Sequence, residues 1–237
     1  MLALIPSLII ALDHEMPPTE YAALSADRRY KLVMLLPNDT DGTKTSLSKD
    51  YRQSGMYLND GSTKPLWTAK WFTRHALVAN DGLHVVALMT YPRLGDNWRT
   101  PLITFYCGGE KTRSYDARQL FDDYAEMSHT VSHYHWVLEF RLNEIARTLE
   151  VMVPTSASRW DSLRWLSFDY TFGELLTHKK DIPARPDTLS VGQAKDIGGK
   201  HVTLSVPKTP TFDELPCCKA EFPSIRKHLK HTRRRLS

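Results

Sequence analysis

Ala79-Asn-Asp-Gly-Leu-His84, running on into Val-Val-Ala-Leu-Met-Thr-Tyr-Pro92, joins a turn to an apolar strand that a proline ends. Asp81-Gly82 is a strong turn pair, because glycine accepts a positive φ without steric cost. The same design occurs 54 residues earlier, where Ser25-Ala-Asp-Arg-Arg-Tyr30 feeds Lys-Leu-Val-Met-Leu-Leu-Pro37. Tyr57 to Gly61, continuing to Trp67, has a looser echo in Phe105 to Gly109, continuing to Tyr115. A third unit is read from Phe140 to Leu175. A period near this length with several strands in each unit predicts blade-like repeats.

The rest of the chain agrees with that reading. Apolar runs at 29–36, 54–59, 66–72, 74–79, 83–89, 101–107, 133–142, 147–153, 162–171 and 200–206 are strand-length and lie between turn residues. One helix is expected over 116–127. There Asp116-Ala-Arg-Gln119 forms a D-x-x-Q cap, and Leu120, Phe121, Tyr124 and Met127 share a face. A second short helix is expected from Pro223. The fold class is therefore mainly β: twisted antiparallel sheets, propeller-like or a small sandwich, with one or two short helices.

At 237 residues and 41% hydrophobic content the chain has the means to bury a sizeable core. Its net charge is +4, yet residues 219–237 alone hold seven basic side chains against Glu221, so the body is slightly acidic. Attraction to nucleic acid or an anionic surface would have to come from that tail, which lacks interleaved aromatics for stacking on bases. Nucleic acid is not the expected partner.

Residues 1–12 form an apolar run too short to span a bilayer, which takes about 20 residues. It suits the apolar core of a secretory leader, although no basic residue precedes it. The expected organisation is an export leader over 1–18, a β-rich domain over 20–176, and a linker with a basic appendage over 177–237. No transmembrane span is expected. Three cysteines, Cys107 and the adjacent Cys217-Cys218, exclude a zinc ribbon or a disulfide framework. They leave open one bridge from Cys107 to the pair, or three free thiols.

Ser25 to Tyr30 resembles the S-P-D-G-R-Y turn of bacterial β-propeller repeats, with Ala26 for proline and Arg28 for glycine. Asn59 to Trp67 (N-D-G-S-T-x-P-L-W) and His129 to His133 (H-x-V-S-H) resemble an uncharacterised group of exported bacterial proteins. The resemblance covers roughly residues 20–176. It implies the fold and export, and no activity.

Candidate chemistry is sparse. His129, His133 and His135 are the candidate metal ligands, because imidazoles two apart on a strand point the same way and need only a third ligand. Period-two alternation, however, places Tyr134, Trp136, Leu138 and Phe140 on the core face and His133, His135, Val137 and Glu139 on the outer one. Asp60-Gly-Ser-Thr-Lys64 reads as a turn, with no base spaced to activate Ser62. Trp67 and Trp71, four apart, share a strand face and read as core. Phosphate-loop, dinucleotide and nucleophile-elbow motifs do not occur, so no cofactor and no catalytic residue is assigned.

The reading is a non-catalytic exported binding or structural module, with a protein or small ligand as partner and Asn59, Asp60 and Trp67 as candidate contacts. The alternatives are a metal-dependent hydrolase built on the histidines, and tail-mediated binding to nucleic acid or an anionic surface.

Overall fold

A computed structural model describes residues 17–38, 42–93, 98–123, 126–129, 132–155 and 162–183. Three four-stranded antiparallel meanders follow one another along the chain, each with its strands in sequence order. The first comprises β1 (Tyr21–Leu24), β2 (Tyr30–Met34), β3 (Gly55–Leu58) and β4 (Trp67–Thr68). The second comprises β5 (His75–Val78), β6 (His84–Leu88), β7 (Pro101–Cys107) and β8 (Glu110–Asp116). A two-stranded hairpin, β9 (Ser128–His129) with β10 (Tyr134–His135), comes next. The third meander is β11 (Glu139–Asn143), β12 (Thr148–Pro154), β13 (Ser162–Asp169) and β14 (Glu174–Pro183). Two single-turn helices, α1 (Leu47–Asp50) and α2 (Ala117–Leu120), complete the described elements. Among the described residues the fold is mainly β, with antiparallel sheets and no closed barrel. Within each meander the strand order is that of a propeller blade.

The repeated turns explain why the meanders look alike. Ser25 N–H donates to the Tyr30 carbonyl at 3.0 Å, and Ala79 N–H to the His84 carbonyl at 3.1 Å, at equivalent points of sheets one and two. Asp27 accepts from the Arg29 N–H and Asp81 from the Leu83 N–H, so each aspartate closes its own turn. The fourth turn residue is left-handed in both, Arg28 at φ 59° and Gly82 at φ 71°. In sheet three Asn143 and Thr148 are paired at the same spacing. There Asn143 Oδ1 takes the Ile145 and Ala146 N–H groups, and the left-handed residue moves to Arg147 at φ 55°.

Sheet two lies between the other two. All five residues of β6 are buried, which requires cover on both faces. Val86, Leu88 and Phe105 pack with Val151, Leu166 and Phe168 of sheet three. On the other side Val85 packs with Tyr30, Leu32, Met56 and Trp67 of sheet one. The far face of sheet one, Val33 and Tyr57, is closed by Tyr51 and by Leu47 of α1; the two tyrosine rings meet edge to face at 4.7 Å.

Several sequence expectations change. The strand read over 133–142 is two strands, because the chain leaves the sheet between His135 and Glu139. Alternation breaks there: Trp136 is buried, but His133 is buried too and Leu138 is exposed. The helix read over 116–127 stops after one turn. Asp116 and Gln119 form the expected reciprocal cap, yet Phe121 is already extended and drops its ring into the core. β1, β8, β9 and β14 are strands beyond those expected, and β14 runs through 177–183, assigned from composition to the linker. Leader residues 1–16, the expected strand at 200–206 and the expected helix from Pro223 lie outside the described residues.

Candidate functional site

Sheets one and two are joined by residues 69–74 alone, whereas residues 117–138 intervene between sheets two and three. That insertion is held to the body at both ends. Arg164 on β13 donates to the Leu120 carbonyl at 2.6 Å and pairs with Glu126 at 3.0 Å. Further on, the buried Trp136 donates its indole N–H to the Met89 carbonyl at 2.6 Å, and Tyr134 N–H donates to the Pro92 carbonyl at 2.9 Å. Arg93 and His133 form an isolated antiparallel bridge. The hairpin and the loop leaving β6 therefore form one unit.

On this unit the large apolar side chains Met89, Tyr91 and Leu138 are 40%, 47% and 44% exposed. The Tyr91 ring is edge-on to both His133, at 6.3 Å, and His135, at 5.2 Å. His133 is buried, with Nδ1 2.8 Å from Ser132 Oγ. His129 is exposed and stacks on Tyr134. Two of the three candidate metal ligands thus meet at Tyr91, and the third faces a different ring. Among the described residues no group of three His, Cys, Asp or Glu side chains is placed to hold a metal ion.

Asn59, Asp60 and Trp67 occupy different environments. Asn59 and Asp60 are exposed on the β3–β4 turn. Asn59 Nδ2 donates to the Arg28 carbonyl at 2.9 Å, and Asp60 Oδ1 accepts the Ser62 N–H at 2.9 Å. Trp67 is buried between sheets one and two, with its indole N–H on the Gly82 carbonyl at 2.8 Å. Trp71 is half-buried and stacks on Tyr106 at 3.9 Å. The polar turn residues and the buried indole are thus each engaged with backbone of the fold.

A second polar cluster arises where the three turns meet. Asn80 Oδ1 accepts the Asp27 N–H at 2.9 Å, and the Asn80 carbonyl accepts from Arg29. Asn80 N–H donates to Glu144 at 3.1 Å, and Tyr170 O–H donates to the other Glu144 oxygen at 3.0 Å. Asp81 lies 2.6 Å from Nδ1 of the buried His84. Burial alone would raise the Asp81 pKa, but the His84 ring and the His84 and Leu83 N–H groups hold it below the ordinary carboxylate value. Glu144 moves the other way, pushed up mainly by burial and further by Asp81 and Asp27. Asp27, like Asp81, is held down against its burial, through Ser25 and Arg29.

Asp81 and His84 form half of an acid–base relay, but His84 is in the core, so the pair fastens a turn rather than facing a substrate. The turn aspartates are visible in the sequence. Glu144 and Tyr170 are not, because only the fold brings them to residue 80. Met89 and Tyr91 carry one signal, an apolar run that continues past the last inward-facing residue of its strand.

No protein-family model, curated protein or solved structure matches this chain.

Proposed function

We propose that the protein is a non-catalytic, exported β-rich module that binds another protein through the face made by Met89, Tyr91, His135 and Leu138. The observation that carries this reading is the exposure of three large apolar side chains on a unit fastened by the Trp136 and Tyr134 hydrogen bonds. Exposed tyrosine and methionine fit an interface, where aromatic residues and methionine are enriched relative to the rest of the surface. The location supports it as well, because insertions into repeated units gather on one face, often the binding face. Export is supported by the apolar run at residues 1–12 and by Cys107, which is disulfide-bonded, a state kept in oxidising compartments.

Benzoyl-phenylalanine in place of Tyr91, in the cells that naturally make the protein, tests the proposal. Illumination should give a discrete adduct with one protein from position 91 and none when the photoprobe replaces the exposed Lys49. Absence of an adduct from position 91, or the same adducts from both positions, overturns it.

A further inference from the structure

Asn80 is the point at which the three turns meet, and each turn brings one carboxylate to it. Asp27 of the first turn donates its N–H to Asn80 Oδ1 at 2.9 Å. Asp81 of the second turn is the next residue in the chain. Glu144 of the third accepts the Asn80 N–H at 3.1 Å. Three carboxylates in one hydrogen-bonded cluster repel one another when all are ionised, and taking them out of water adds to the cost.

Their partners differ. Asp27 is paired with the Arg29 guanidinium at 2.5 Å and accepts from Ser25 Oγ at 2.7 Å. Asp81 has the His84 ring at 2.6 Å on one oxygen, and the Leu83 and His84 N–H groups on the other. Tyr30 faces both aspartates. Glu144 is held by neutral donors, the Asn80 N–H on one oxygen and the Tyr170 O–H on the other. Arg147, on the same turn, acts on Tyr170, and no described residue forms an ion pair with Glu144. Burial would raise all three carboxylates, yet Ser25 and Arg29 hold Asp27 down against it, and His84 and Leu83 do the same for Asp81. Glu144 goes up, through burial first and then through Asp81 and Asp27. A proton costs Glu144 neither contact. The neutral carboxyl keeps a carbonyl oxygen for Asn80 and gains an O–H to donate to the Tyr170 oxygen.

We propose that Glu144 is a proton-operated clasp, and that the junction holds sheet three to the other two most firmly when Glu144 is protonated and Asp27 and Asp81 are ionised. A carboxyl raised in the folded state contributes stability that is complete below its unfolded value and is lost as pH rises through its folded one. The two lowered aspartates contribute above their unfolded values and lose that contribution as pH falls through their folded ones. The clasp is therefore tightest in mild acid. It loosens toward neutrality through Glu144 and toward strong acid through the aspartates.

Side-chain carboxyl titration of the native full chain, followed by carbon-13 NMR, tests this without any substitution. Glu144 should titrate with a midpoint above the ordinary glutamate value, about pH 4.3, and the Asn80 N–H resonance should move with the same midpoint. A Glu144 midpoint at or below that value, or an Asn80 N–H that does not follow it, overturns the proposal. Glu144→Gln is neutral at every pH and can still accept from Asn80 and donate to Tyr170. Its urea midpoint should lie above that of the native chain near neutral pH, and the two should become level as pH falls below the folded value of Glu144. A variant less stable than the native chain near neutral pH, or offset from it equally at every pH, also overturns the proposal.

Discussion

Gly82 shows how one residue ties the turn to the packing between sheets. Its φ of 71° suits glycine, and a Cβ there would run into the Tyr30 ring of the neighbouring sheet. Its carbonyl also receives the Trp67 indole N–H. Gly82→Ala is expected to cost about 2–4 kcal/mol, strain plus overpacking, seen as a lower urea midpoint with an unchanged slope. Gly61 has φ 91° but open space around its Cβ position, so Gly61→Ala should cost less, about 1 kcal/mol. Equal losses would contradict the Tyr30 contact. Asp81 makes a pH-dependent prediction. Its folded pKa lies below the unfolded value, so its stabilising contribution is present above about pH 4 and is lost as pH falls through the folded value. Asp81→Asn keeps an oxygen for the Leu83 and His84 N–H groups but loses the charge. The variant should be less stable than the native chain near neutral pH, and the gap should narrow as pH falls through the folded value of Asp81. A gap independent of pH would show that the charge contributes nothing.

Among the elements, the hairpin β9–β10 and the loop after β6 hold each other in place. Trp136→Phe removes the donor to the Met89 carbonyl and leaves that acceptor without its indole partner, a cost of about 1–3 kcal/mol. Amide exchange should accelerate in residues 89–93 and 132–136 and stay unchanged in β3. Uniform acceleration through all the sheets would show that the unit has no separate seating. The same elements mark how far the sequence can be read. β7 is legible to its ends because Leu102, Ile103 and Phe105 are buried and polar turns border it. β8, Glu-Lys-Thr-Arg-Ser-Tyr-Asp, is not, because an edge strand with four exposed residues carries no apolar signal and takes its conformation from pairing with β7. Around Trp136 burial does not follow the alternation of the sequence, since His133 is buried with Trp136 and Leu138 is exposed. The chain bends so that the Trp136 N–H reaches Met89, a distant contact that no local period encodes. The D-x-x-Q cap is legible and forms, but the helix behind it does not continue, because burial of Phe121 favours an extended residue over another helical turn. For the candidate site, the histidines and tyrosines are all visible in the sequence, but their grouping around Tyr91 depends on a loop and an insertion some forty residues apart.

At the scale of the molecule, three meanders are stacked in chain order with the second in the middle. Tyr115 is one fastening of that stack, donating its O–H to the Gly173 carbonyl at 2.7 Å and accepting the Leu175 N–H at 3.2 Å. The turn cluster around Asn80 is another, since it links all three sheets in one chain of hydrogen bonds. A middle sheet covered on both faces opens only when its neighbours leave, so its amides exchange through the largest unfolding unit. Native-state hydrogen exchange across the whole chain is the decisive measurement of that enclosure. Residues 84–88 and 102–107 should be the slowest to exchange, with a common free energy equal to that of global unfolding. If β6 and β7 exchange as fast as the outer strands β1 and β8, the second sheet is not enclosed and the stacking order is wrong.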